Sequence, residues 1–578
     1  MEKRAIIAIV LSILVLILYQ RWTLKQQPTK REDRKEIERI EPERSLPEAP
    51  EKKIMGEAGE VTERAVSERV TGEERRQLRD VTVETKLYTA TFSSYGGRLK
   101  GWRLHQYENR VEEGPFIRKF QETVRKVKGA FGFGGKPIPE GKPEPVEMVT
   151  TEALKNLPLA IEIQDEGVVG PLGPMDVDRD GVLLGGNARE GTLLFRGRAP
   201  GGLEVSKRYW FFDGEYRVKM EVRIQNPRRE PRKVRVGLIW FGMMEESRSR
   251  AFAGPVAMVN GQVEEIKEKK FKEEPLLLSG VVQWFGSSLC GKNVPGANKK
   301  PFFVSLIVPK ENEGASLKIG LGNGRVAHSR ILHPIRSIPA GGEATFSYEF
   351  YLGPKVISLL KELGMEAEKV VSFGWFTVIA KVLLLFLNFT HKVTKNYGVD
   401  IIIISVLLKV LFWPLTRKSY LSMKEMQKVQ PEMTMLREKY KDDKARLNKE
   451  MMDLYKRRKV NPLGGCLPML VQIPIFFALY WALLGSIELR HASFILWIKD
   501  LSDRDPIYIS PILMGASMVW QQKMTPSAGD PRQAKMMMLM PVVFTFLFLS
   551  FPSGLVLYWL VTNLLTIGQQ YLINKTVK

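Results

Sequence analysis

Lys409 is the residue of this 578-residue chain whose setting most demands chemistry. It lies in the apolar run Ile401-Ile-Ile-Ile-Ser-Val-Leu-Leu-Lys-Val-Leu-Phe-Trp-Pro-Leu415. A cation near the middle of a membrane-spanning helix costs roughly 2.5–3.5 kcal/mol even on lenient insertion scales. A polar cavity with a task is the usual compensation. The chemistry open to such a group is attraction of a carboxylate, strengthened by low dielectric, or loss of its own proton on desolvation. The plainer reading is a lysine that snorkels to the nearer interface. Leu415 lies about 9 Å further along a helix, which strains that route without closing it.

Other chemistry is poorly provided for. His105, His328, His333, His391 and His491 are scattered and form no metal-ligand spacing with Cys290 and Cys466. The two cysteines give no disulfide framework. Gly134-Gly135-Lys136 with Gly141-Lys142 resembles a phosphate loop but fails its spacing, and Pro143 stands where a helix should begin. No acid/base pair stands out. No catalytic set, metal or cofactor is expected.

The elements that must position Lys409 follow from hydropathy and charge. Apolar runs crowd the two ends of the chain, and the middle is polar and rich in Gly and Pro. The net charge of +23 fits nucleic acid, and equally fits cytoplasmic loops beside anionic lipid. Residues 1–22 carry a positive flank and an apolar core without a small-residue cleavage site, so they read as a signal anchor with its N-terminus inside. A cleaved signal peptide is the alternative. Residues 23–80 alternate Lys/Arg with Glu and contain almost no aromatic residues, which predicts a disordered charged linker. Residues 81–354 change to a period of two. Val218, Met220, Val222 and Ile224 share one strand face, after a partner strand at 205–212 and a turn at Asp213-Gly214. Further strands are expected at 83–92, 234–241, 302–308 and 345–351, with turns at Asn260-Gly261 and Asn323-Gly324, which together predict a large all-β sandwich.

Beyond Lys355 the chain becomes helical. Spans are expected at 399–415, 467–484, 507–521, 537–551 and 554–572, several shorter than the ~20 residues a perpendicular helix needs. Parity decides the run at 373–389. Residues 417–459 carry fourteen Lys/Arg and belong in the cytoplasm. With the N-terminus inside, a span at 373–389 would place them outside. That run, within a 355–398 region, is therefore expected to lie along the outer membrane surface. The total is six spans. The basic segment 417–461 predicts a helical hairpin, with Met426, Val429, Met433, Leu436 and Tyr440 on one face and Asp442-Asp443 suited to cap the second helix. Its methionines either pack the two helices together or offer an adaptable surface to apolar clients. Met423, Met426, Met433 and Met451 are the candidates. No paired intramembrane acids of the kind a transporter uses are expected.

Several of these strings, in one order, resemble the YidC family of membrane protein insertases, Gram-negative type. They are the run with Lys409, Lys459-Val-Asn-Pro-Leu-Gly-Gly-Cys466, Gln472-Ile-Pro-Ile-Phe476, Leu496-Trp-Ile-Lys-Asp-Leu-Ser502, Pro511-Ile-Leu-Met-Gly515 and Phe551-Pro-Ser-Gly-Leu-Val-Leu-Tyr558. The resemblance implies a polytopic α-helical membrane protein with six transmembrane helices, five of them an insertase core at 399–578, and a periplasmic β-supersandwich similar to sugar mutarotases. It implies a hydrophilic groove, open to the cytoplasm and to lipid, bearing a positive residue. Lys409 takes that place, where the family commonly has arginine. Ser405, Gln472 and Trp559 are carried over as groove residues, although Tyr558-Trp559 also reads as a packing pair. The implied function is insertion and folding of inner-membrane proteins, alone or with the Sec translocon, without covalent chemistry. Implied partners are nascent inner-membrane proteins, the signal recognition particle receptor, the ribosome and anionic lipid, with no specific nucleic acid. The tail after Leu572 is Ile-Asn-Lys-Thr-Val-Lys, so no long basic ribosome-binding extension is expected.

Overall fold

Alternating side chains dictate the first half of the molecule. In this computed structural model, which describes residues 78–130, 142–165, 168–244, 252–295, 300–458, 460, 467–525 and 531–576, Glu204–Phe212 and Arg217–Gln225 form the expected hairpin. Val218, Met220, Val222 and Ile224 are buried, and Lys219 and Arg223 face out. Gly214 reverses the chain at φ +80°, a conformation open to glycine at little steric cost. Asn260-Gly261 makes the tight turn between Gly254–Val259 and Gln262–Glu265. The strand expected at 83–92 is two strands, Asp80–Glu84 and Tyr88–Ser93. Thr85 separates them, its hydroxyl oxygen accepting from the backbone of Leu87 and Tyr88 at 3.1 Å. The anchor at 1–22, nearly all of the linker, the glycine pair at 134–135 and the string at 461–466 lie outside the described residues.

From Asp80 to Pro354, twenty-one described strands make sheets of five, nine and seven. One apolar core joins all three, with Tyr88 and Trp102, Tyr209 and Phe350, and Leu238 and Ile331. Lys207 is wholly buried there, donating to the carbonyls of Gly97 at 3.0 Å, Gly96 at 3.3 Å and Leu159. Those three acceptors replace its lost water. The region is not all β. A helix, α1, spans Pro115–Ala130 between the strands Arg98–Glu108 and Pro145–Glu147. Its Gly- and Pro-rich surroundings concealed a 3.6-residue apolar period.

The second half is helical: α2 (Ile357–Leu363), α3 (Thr377–Thr394), α4 (Tyr397–Leu411), α5 (Trp413–Lys428), α6 (Gln430–Lys439), α7 (Lys444–Arg457), α8 (Leu467–Gly485), α9 (Ile509–Met524), α10 (Pro531–Phe548) and α11 (Ser553–Thr576). Asn396 caps α4, its side-chain oxygen accepting from Gly398 at 2.9 Å and Val399 at 3.2 Å. Asp443 caps α7 through the Arg446 amide at 2.9 Å. Between α4 and α5 the chain bends by 62°, and Pro414 lacks the amide that would continue the ladder. Gly515 lets α9 and α10 touch, since a Cβ there would stand 2.0 Å from Thr545 Oγ1.

Each run expected to span falls on one of α4, α8, α9, α10 and α11, although α4 stops at the bend. Among the described residues only Gly374–Thr394 is by itself long and apolar enough to cross a membrane, and α4 with α5 pass that test as a bent pair. Val471–Gly485 and Met538–Phe548 are shorter apolar helices. Gly374–Thr394 contains nearly all of the run expected to lie along the membrane surface at 373–389, and length and hydropathy alone do not set its orientation. The helix α3 buries Ala380, Leu383, Leu384 and Leu387 and exposes Val378, Val382, Leu385, Phe389 and Val393.

Candidate functional site around Lys409

The last turn of α4 carries Lys409, and its ammonium turns toward α11. Nζ donates to Thr566 Oγ1 at 2.8 Å, in the middle of α11, which packs along α4. Ser405 lies one turn earlier on the same face, where the 3.6-residue period places it. Ser405, Lys409 and Gln472 line one cavity of about 40 Å³ with Ile475, Tyr558 and Thr562. That volume holds a few waters. Among the described residues its lining contains no carboxylate. The Ser405 hydroxyl donates to the Ile401 carbonyl at 2.6 Å, leaving its oxygen as an acceptor. The Tyr558 hydroxyl lies beside Thr562 and Gln472. Three helices thus bring a fixed cation and several neutral dipoles together in an apolar surround, an arrangement that attracts anionic groups and solvates polar chain.

Trp559 is not among the lining residues. Its ring packs edge-on against Phe476 at 5.1 Å, and against Phe548 at 5.2 Å and Phe544 at 6.0 Å. The pair Tyr558-Trp559 therefore divides, one ring to the cavity and the other to an aromatic cluster. Residues that sequence reasoning missed are on α11. Thr562, Thr566 and Gln569 recur at helical spacing, and Gln569 Nε2 donates to Thr416 Oγ1 at 2.7 Å. Asn563 and Gln570 face α9, donating to Ser517 Oγ at 3.1 Å and Thr525 Oγ1 at 3.0 Å. The available signal was polar residues spaced three and four apart in an apolar run.

An acid does begin the first of these helices. Asp400 is fully buried and accepts from Thr394 Oγ1 at 2.7 Å, with His391 Nδ1 at 3.1 Å. The His391 ring stacks on Tyr397 at 3.7 Å. Through these contacts the acid ties α3 to α4.

The hairpin of α5, α6 and α7 settles which methionines pack. Met426 and Met433 are buried with Val429, Leu454 and Val460, and Met451 packs against them. Met423 is half-buried. Met435 and Met452 are 62% and 52% exposed. Among the described residues no cluster of potential metal ligands occurs.

Comparison with known sequences bears on both halves. Residues 181–386 match the sequence model described as YidC periplasmic domain, and residues 389–578 match that described as 60Kd inner membrane protein. A membrane protein insertase YidC of Syntrophus aciditrophicus is 40% identical, with all of both chains covered. One of Geotalea uraniireducens is 39% identical, again over 100% of each. The chain belongs to the YidC family of membrane protein insertases. A solved structure of an active YidC insertase with its first transmembrane domain resolved is 17% identical, covers 85% of this chain and 92% of that one, and has a TM-score of 0.37. The YidC family combines an inner-membrane part with a periplasmic domain, and the Lys409 cavity falls in the former. YidC insertases are not enzymes.

Proposed function

We propose that this chain inserts inner-membrane proteins by offering their polar segments a charged, water-holding groove inside the bilayer, with Lys409 as its attracting charge. The observation that carries this reading is the Lys409 ammonium held at Thr566, beside the cavity-lining Ser405, Gln472, Tyr558 and Thr562. A client's acidic tail gains Coulomb attraction there, and its backbone finds dipoles where hydrocarbon offers none. The apolar segment then leaves sideways into lipid. Trp559 contributes as groove wall, holding the aromatic cluster behind the cavity. The cytoplasmic hairpin is the first contact for clients, with Met423 and Met451 reached at its edges and Met426 and Met433 shaping it from within.

The organisation belongs to the same proposal: anchor 1–22, linker 23–80, periplasmic β-supersandwich 81–354, interfacial region 355–398, and insertase core 399–578 with its hairpin at 417–461. Six spans leave both ends of the chain in the cytoplasm. Supporting it are the strands from Asp80 to Pro354, the helices that meet each expected run, and the fourteen Lys/Arg of 417–459. The Sec translocon, the signal recognition particle receptor, the ribosome and anionic lipid are the proposed partners.

Insertion of a client with an acidic translocated tail into reconstituted vesicles is the test. Lys409→Arg retains insertion, and Lys409→Ala or Lys409→Glu loses at least about tenfold, the equivalent of one desolvated charge contact of about 1.4 kcal/mol. Equal insertion by Lys409→Glu overturns the attraction.

A further inference from the structure

The helix α1 is unlike anything else in the β-rich half. On a helix of 3.6 residues per turn, Phe116, Phe120, Thr123 and Val127 share one stripe. Phe116 is 73% exposed and Val127 52%. On the adjoining face Ile117 is buried. Exposed Lys119 and Lys126 flank the stripe. Residues 115–130 hold five Lys/Arg against one Glu. Single exposed apolar residues are ordinary. A largely apolar stripe, here with Thr123 as its polar member, bordered by lysines is the pattern of a helix lying in a membrane interface.

The position of α1 agrees with its pattern. The strand leading to it ends at Glu108, whose carbonyl accepts from Arg490 in the loop joining α8 to α9. Glu113, two residues before the helix, accepts from Gln121 Nε2 at 2.9 Å and feels the charges of Asp503 and Arg504 in the same loop. That loop joins two apolar helices, so it marks the level at which the bundle leaves hydrocarbon. The helix therefore starts beside the bilayer and on the side of the β-rich domain.

We propose that α1 lies on the periplasmic leaflet, with its Phe116–Val127 stripe at the headgroup–acyl boundary and Lys119 and Lys126 against the phosphates of anionic phospholipids. This rests on the family reading that α8 and α9 are embedded in the inner membrane. It does not depend on the Lys409 groove. Cations near an anionic surface contribute about 1 kcal/mol each, or about fivefold in the contact equilibrium. The stripe adds apolar area that neutral lipid also accepts.

The test uses the full chain with Cys466→Ser and Thr123→Cys, labelled on the stripe with a fluorophore and reconstituted with nitroxide-bearing lipid. Leu183→Cys, on an exposed strand residue, serves as the reference. Quenching at position 123 should exceed that at 183 in vesicles containing phosphatidylglycerol. It should weaken in phosphatidylcholine alone, in high salt, and in the Lys119→Glu, Lys126→Glu variant. Quenching no greater than at position 183 overturns the proposal. Equal quenching in both lipids overturns the phosphate pairing, and protection that grows with protein density assigns the stripe to a second copy of this chain. Client insertion measured in the same vesicles keeps the two readings apart. Insertion without quenching sinks only the α1 proposal, and quenching without insertion sinks only the groove.

Discussion

Single residues show how this molecule spends polar groups in apolar places. Lys207 is satisfied by three carbonyls and holds the Gly96-Gly97 turn. Lys409, among the described residues, donates to one hydroxyl, that of Thr566. His333 shows a third outcome. Its Nε2 lies 2.7 Å from the Tyr348 hydroxyl, and burial, with the neighbouring Arg336 guanidinium, pushes its imidazole down to about 4. The fold therefore favours neutral His333. Its contribution is complete above the ordinary value of 6.5 and is lost as pH falls toward 4, on the order of 3 kcal/mol. Thermal melts followed by β-sheet circular dichroism should drop between pH 7 and pH 4.5, and the drop should shrink in His333→Gln. An unchanged slope in that variant assigns the acid sensitivity to other groups.

At the scale of elements, the hairpin separates two roles that the methionine pattern merged. Met433 is a packing residue between α6 and α7, so Met433→Ala should cost about 2 kcal/mol and speed amide exchange across 430–457 about 30-fold. Met435 and Met452 face outward. Photocrosslinkers at 435 and 452 should therefore capture a stalled nascent membrane protein more strongly than those at 426 and 433. The reverse order would mean that the hairpin opens to receive its client. The helix α1 carries the same lesson about periodicity. Its stripe is written in the sequence, but the short segment is flanked by strands and turn residues, and the dominant period of two concealed it.

Across the whole molecule, one loop joins the two halves. Lys300 donates to the Ser502 carbonyl, Arg490 reaches the Glu108 carbonyl, and the Arg490 guanidinium lies 5.4 Å from the Phe303 ring centre. The other side of that loop receives the start of α11, through Ser553 to the Asp503 carbonyl at 2.6 Å and Gly554 to the Leu501 carbonyl at 3.0 Å. A cavity of about 160 Å³ separates the halves nearby, between Lys355, Phe252 and Val370 on one side and Trp481 and Leu484 on the other. Polar contacts from this loop to the β-rich half add to the apolar core that the two halves share. Replacing both Lys300 and Arg490 with Met should loosen that half from the bundle and speed exchange across 490–505 by about tenfold or more. Unchanged exchange would show that apolar contact alone holds the two together.

The sequence by itself determined most of the elements and the anomaly. The period of two in 217–225, the tight turns at Gly214 and Gly261, the Asp443 cap and the apolar runs each act through neighbouring residues, so each is readable one segment at a time. A lysine among isoleucines and leucines is readable for the same reason. What only the tertiary structure decided is who meets whom. Thr566 lies 157 positions from Lys409 and reaches it because α11 packs along α4. Trp559 turns from the cavity because Phe476, Phe544 and Phe548 offer its ring a better surround. Asp400 is buried because His391 and Thr394 are there to satisfy it. Pairings of this kind depend on helix rotation and crossing, which packing sets and which no local period encodes.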